Sequence, residues 1–478
     1  MRRAFFAALF AALAASRFCH LRILWTEEDL PLAAAIQMLF GKALYRDVWF
    51  DKPPLVPAVY LLWGAHTGWP LRLACALYAL LACWLIYRFA RDLWGEREGM
   101  LAAALLGFFL IFGIPAAVMP LAADLLMLAP HIAAVYLAWR GRALWSGVAA
   151  GVAFLCNAKA ALVLAACAVF DPRGIPWLLA GFAIPNAAAL AWFFATGALR
   201  DYYEQVWWLG GLYAKNTFVA HPLREGFLRT VNWIGFHAAL FVAAAWFWLR
   251  ERKPERWRFA VWAALSLASV AAGWRFFPRY YFALLPVMVL AAARGLALLG
   301  RRRAVPVLLL LLIPMVRFGP RYVTLARELA AGREHEWRDV AMDRDSRAAA
   351  KLILERARPG DTLFVWGYRP DIFAYTRMPA ATRFLESQPL SGVFADRHLF
   401  QSEALAPAWT AGNRAALLAS RPTFVVDGLG AFNPALGMDA YPELRSWLAR
   451  YSPAARTPWT AIYQYNDGSP RGRVFQRR

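Results

Sequence analysis

Residues 174–199, GIPWLLAGFAIPNAAALAWFFATGAL, contain no charged side chain. A helix crossing a hydrocarbon core of ~30 Å needs about 20 such residues. Working outward, residues 100–139 carry one charge, Asp124. The same test predicts spans at 4–24, 70–89, 99–118, 122–139, 174–197, 231–249, 259–274, 280–299 and 304–319. The stretch 143–170 is long for one helix and holds Lys159, so it is predicted to cross as two short helices turning near that lysine. The total is about eleven spans. Trp207, Trp208 and Trp246 stand near the ends of apolar runs, where aromatic belts meet the membrane surface. With 60% hydrophobic residues, a mean hydropathy of +0.40 and 23 Trp, a soluble single domain is excluded.

The net charge of +22 comes almost wholly from Arg, Lys occupying only six positions. Such a balance first suggests nucleic acid. Here, however, the cations fall in short loops: Arg2 and Arg3, 88–97, Arg140 and Arg142, 250–258, and Arg301-Arg302-Arg303. Excess Lys and Arg marks cytoplasmic loops. Two crossings within 143–170 place every basic loop inside, whereas one crossing would put 250–258 outside. The expected protein is a multi-pass inner-membrane protein with a cytoplasmic N-terminus, and nucleic acid is not expected as a partner. Residues 1–20 also resemble a secretory signal peptide, whose removal would leave the remaining topology unchanged. Cys19, Cys75, Cys83, Cys156 and Cys167 lie in or beside apolar segments and read as small hydrophobes. His66, His131 and His237, single in apolar runs, read as packing residues.

After Pro320 the composition becomes charged and rich in turns. A helix is predicted over 344–358, stopped by Pro359-Gly360, and strands over 362–366, 423–426 and 462–465. The fold class is therefore mainly α, a polytopic helical membrane domain over 1–319 followed by a small extracytoplasmic α/β domain over 320–478.

The chemistry concentrates in the first outer loop, 25–54. It holds Glu27-Glu28-Asp29, then Gly41, Tyr45-Arg46-Asp47 and Asp51-Lys52-Pro53-Pro54. Three adjacent carboxylates repel, so at least one should bind its proton more tightly, as a general base near neutral pH requires. Asp124 and Lys159 are placed at outer turns by the same topology, and Arg275-Phe276-Phe277-Pro278-Arg279-Tyr280-Tyr281 follows on that side. Charges at the edge of membrane spans are costly and are functional by default. Arginine suits phosphate and the aromatic rings suit a lipid or sugar.

An acidic pair, about a dozen residues to a Gly, then Tyr-Arg-Asp and Lys-Pro-Pro, resembles the first outer loop of the GT-C glycosyltransferases. The branch is that of protein O-mannosyltransferases and lipid A aminoarabinose transferases, and the resemblance spans about residues 20–300. It implies that Glu27 or Glu28 is the catalytic base and that Asp124 is a second outer-loop acid. It implies that Lys52 and Lys159 meet the carrier phosphate, joined by Arg279 beside Tyr280. Asp29, Asp51, Tyr45 and Arg46 would support them. Asp51 and Asp124 either orient the lysines or hold a divalent cation; no cofactor is otherwise expected. The expected reaction moves a sugar from a polyprenyl-phosphate donor to a glycan, lipid or protein acceptor at the outer face, with inversion. A transporter or flippase for a lipid-linked or anionic substrate is the rival reading, although no repeat of two halves is visible. A non-catalytic membrane scaffold is the third, and it leaves the carboxylate–lysine arrangement idle.

Overall fold

The long apolar runs become helices or pairs of helices in the computed structural model, which describes residues 2–466. Met1 and the last twelve residues assigned above to the outer domain lie outside the described residues. Two helices, Trp69–Trp94 and Pro172–Ala195, are long and apolar enough to cross a membrane alone. Pro172–Ala195 leaves Trp177, Trp192 and Phe194 exposed, the pattern of a surface turned to lipid. Its other face packs on Ala143–Cys156 without room for side chains. A Cβ on Gly147 would lie 2.0 Å from the Leu178 carbonyl oxygen, and one on Gly181 2.0 Å from that of Leu144. Small residues let helix backbones meet this closely where no water drives association.

Two predicted spans are revised. The stretch 231–249 is not one helix: Pro222–Phe236 and Ala238–Arg250 meet at a 90° bend. His237 sits at the bend, bonded through Nδ1 to the Trp233 carbonyl at 2.9 Å and stacked on Trp233 and Phe109. The stretch 304–319 is divided between Leu285–Leu309, kinked at Gly300 (φ 73°), and Leu312–Ala330. Pro320, where the composition changes, thus lies inside a helix. That helix keeps Leu312, Val316 and Val323 on one side among arginines, so its amphipathic period outlasts the purely apolar run. The stretch 143–170 forms two helices, Ala143–Cys156 and Ala161–Phe170, separated where Asn157 turns extended (φ −156°) before the 3₁₀ turn Ala158–Ala160.

The tail carries a helix, Ala341–Leu354, and a four-stranded sheet. Its strands are β1 (Leu363–Trp366), β2 (Phe424–Asp427), β3 (Tyr451–Arg456) and β4 (Ala461–Tyr465), in the order β1-β2-β4-β3. The β1–β2 pair is parallel and the other pairs are antiparallel. The sequence reading missed β3, which contains Pro453; proline is tolerated there because the strand is at the edge.

The tail rests on the first outer loop. Gln37 exchanges hydrogen bonds with Met378 and Ala380, at 3.1 and 2.7 Å. Arg377 donates to the carbonyls of Ala65 and Gly64, and the Trp49 amide to that of Arg383. The Leu24 amide donates to Asp343 Oδ1 at 3.3 Å. Burial pushes the Asp343 carboxyl up to about 6, against the pull of Arg347 and Tyr375. The folded state therefore keeps a proton that the unfolded chain releases near pH 4. Docking weakens as pH rises from about 4 to about 6, by on the order of 2–3 kcal/mol. Protection factors for amide exchange in Ala341–Leu354 should be higher at pH 5 than at pH 7, and Asp343→Asn should remove the difference.

Candidate active site

Glu27 and Glu28 occupy the first turn of the helix Thr26–Leu39. Consecutive helical residues point about 100° apart, and the two carboxylates go to different partners. Glu28 is fully buried and clasped by Arg72 through two hydrogen bonds of 2.8 Å. It also accepts from the amides of Trp25 and Leu121, at 3.2 Å each. Arg72 completes its own set on the carbonyls of His20 and Ile23. Glu28 has no capacity left for a substrate proton; it staples the loop to the helix Trp69–Trp94. Removing one partner strands a buried charge, at a cost of about 3–5 kcal/mol. Glu28→Ala should lower the unfolding temperature in detergent sharply, while Glu27→Gln leaves it nearly unchanged.

Glu27 stays partly exposed, its Oε1 2.9 Å from Arg279 Nη1. Arg279 belongs to the 3₁₀ turn Pro278–Ala283, and its Nε also lies 3.5 Å from Asp124 Oδ2. Asp124 Oδ1 accepts from Asn157 Nδ2 at 2.9 Å, and Asn157 Oδ1 caps the Lys159 amide at 3.1 Å. Lys159 Nζ has no hydrogen-bond partner among the described residues and sits over the Tyr280 ring, 2.9 Å from its centroid. The line Glu27–Arg279–Asp124–Asn157–Lys159 thus joins segments 250 residues apart.

Lys52 pairs with Asp51 at 3.1 Å. Burial opposes its charge, yet Asp51 and Glu27 hold its ammonium up to about 12, so it is a permanent cation. Tyr45, at φ 69°, donates its hydroxyl to the Lys52 carbonyl at 2.8 Å and fixes that turn. Asp29 is buried behind Glu27; burial, then Asp371 and Glu27, keeps its carboxyl well above the usual range. Arg46 stands apart, exposed and paired with its neighbour Asp47 and the Thr196 carbonyl.

A divalent cation does not fit these carboxylates. Asp51 already faces Lys52, and Asp124 faces Arg279 and Asn157. Among the described residues no three His, Cys, Asp or Glu converge with metal-holding geometry.

Arg275 escaped the site assignment although its cluster was noted. It is buried and held by Asp396 at 2.7 Å, and by the carbonyls of Gly273, Tyr213 and Asn216. It anchors the turn that presents Arg279, with Trp274 and Phe276 at φ 57° and 49° on either side. The signal for Arg72 was available: an arginine in the apolar run 70–89, far from the cationic end at Arg88, demands a buried partner.

No curated protein matches this chain. The family of dolichyl-phosphate-mannose-protein mannosyltransferases matches residues 51–192, less than half of the sequence. Among solved structures, the chain is similar to ArnT from Cupriavidus metallidurans in the apo state. The two are 16% identical, with a TM-score of 0.58, over 97% of this chain and 98% of that one. The structure of the same protein bound to undecaprenyl phosphate gives 17% identity and a TM-score of 0.59, over 96% and 97%.

The fold is GT-C.

The likeness runs nearly end to end, so it includes the tail as well as the helical part of this GT-C chain. The family match takes in Asp51, Lys52, Asp124 and Lys159 but stops short of Arg279 and begins after Glu27. Those two residues enter the GT-C site here on geometry alone.

Proposed function

We propose that the protein transfers a sugar from a polyprenyl-phosphate donor to an acceptor hydroxyl at the outer face of the membrane. The observation that carries this is one carboxylate, Glu27, paired with Arg279 and within electrostatic reach of Lys52, while Arg279 leads through Asp124 and Asn157 to Lys159. The orientation follows the basic loops, which put the N-terminus inside and the domain formed by the tail outside. The division into two parts belongs to the same proposal, with its boundary moved past Pro320 to the end of the helix Leu312–Ala330; the membrane part provides the donor site and the tail a cover over it.

The donor's lipid tail lies in the bilayer and its phosphodiester enters among the cations. Arg279, shared at rest between Glu27 and Asp124, turns to the phosphate and frees Glu27. The acceptor oxygen attacks the anomeric carbon as Glu27 takes its proton. The bond from that carbon to the phosphate oxygen breaks, and polyprenyl phosphate leaves with the electron pair. Lys52, Lys159 and Arg279 stabilise the charge gathering on the phosphate, the contribution that commonly dominates such reactions. Asp51 and Asp124 orient the cations. Because attack and departure occur on opposite faces, the anomeric centre inverts. Product analysis by NMR, starting from a donor of known configuration, tests this. An inverted product is expected, and a retained one would rule out direct displacement.

A further inference from the structure

The segment 384–388 of the tail reaches the Asp51–Lys52 pair. Gln388 Nε2 donates to Asp51 Oδ2 at 3.3 Å, and its own amide donates to Glu386 Oε2 at 2.7 Å. Glu386 is fully buried, and its second oxygen, Oε1, has no partner among the described residues. Burial, opposed by the Gln388 amide and reinforced by Asp51, holds its carboxyl well above the usual range. A buried carboxyl group with an unused oxygen therefore stands next to the Asp51–Lys52 pair. Tyr368, just past β1, is the second unusual group. Burial, then Asp29, Asp51, Glu27 and Glu386, holds its phenol well above the usual range, so it stands among the same acids.

Buried polar groups are hydrogen-bonded in native proteins, and an orphan calls for a ligand that completes it. A second cation is a poor candidate beside the Lys52 ammonium, and an anion at the free oxygen would face Asp51 and the Glu386 carboxyl itself. A neutral polyol satisfies both conditions, since its hydroxyls can donate to the free oxygen without bringing a charge. We propose that Glu386 and Tyr368 form a subsite for the hydroxyls of a sugar ring beside Lys52. The inference rests on the transferase reading above and gives the tail a part in sugar selection. The ring belongs either to the donor's sugar or to a glycan acceptor; both have this chemistry.

The test is a cycle between protein and substrate in the intact protein. Wild type, Glu386→Gln, Glu386→Leu and Tyr368→Phe are assayed with a normal donor and with monodeoxy donors, then with normal and deoxy glycan acceptors. Wild type should lose roughly tenfold to a hundredfold in kcat/KM with one deoxy compound, the loss expected when a buried partner is left unpaired. Glu386→Leu and Tyr368→Phe should show a similar loss with the normal compound and no further loss with that deoxy compound. The arm in which this happens identifies donor or acceptor. Binding of polyprenyl phosphate, which lacks the sugar, should be unchanged in all four proteins and so reports an intact fold. Additive losses in every arm, or variants that match wild type, overturn the subsite. Failure of wild type to use any donor would instead strike at the transferase reading.

Discussion

Glu27→Gln should abolish transfer while the donor still binds. A positioned general base contributes about 10²–10⁴ in rate, and Glu27 is the only member of the adjacent acids placed for the task. Glu28 is spent on Arg72 and two backbone amides, and Asp29 is buried with its Oδ1 turned to the Leu30 amide. The amide of glutamine keeps the size of the side chain and still accepts from Arg279, so the fold and donor affinity should survive. The measurement is kcat in a single-turnover assay beside donor affinity. A fall in kcat of at least a hundredfold with little change in affinity is expected; equal losses in both would make Glu27 a binding residue.

Lys52→Ala should lower kcat/KM by about 10²–10³, the usual consequence of removing one preorganised group that meets developing charge. Lys52 is held charged by Asp51 and Glu27, so its contribution should not vary with pH between 6 and 9. Removing it also releases Asp51 next to a bound phosphate, which adds repulsion. Lys52→Arg should restore part of the rate, because charge is kept while the single-point contact is lost. Transfer assays at pH 6 and 9 with all three proteins check this. A full-rate Lys52→Ala would remove the residue from the phosphate site.

The sequence carried the helical character of the apolar runs well, because long uncharged runs have few alternatives. Against about eleven expected spans, two helices, or three counting the bent pair, are long and apolar enough to cross a membrane among the described residues. The positions of the breaks were harder to see. Residues 231–249 carry no Asp, Glu, Lys or Arg and no proline, and nothing in their composition announces a 90° turn at His237, where the ring stacks against Phe109 from another helix. Ser452-Pro453-Ala454-Ala455 has no strand-forming residue, and only pairing with β4 makes it a strand. The active-site acids show the same limit. Glu27 and Glu28 are neighbours with like chemistry, and their separation into a reacting and a structural carboxylate comes from Arg72, 44 residues onward. The tail's role was the least readable. Gln388 and Glu386 stand more than 330 residues from Asp51, and no local pattern links them.

The most direct test of the account is turnover of a panel of polyprenyl-phosphate sugars by the intact protein in lipid nanodiscs, wild type beside Glu27→Gln. The account predicts that wild type releases polyprenyl phosphate and forms glycosylated product from at least one donor, while Glu27→Gln binds that donor and leaves it uncleaved. Wild type inert towards every donor, or a Glu27→Gln protein as fast as wild type, would contradict it.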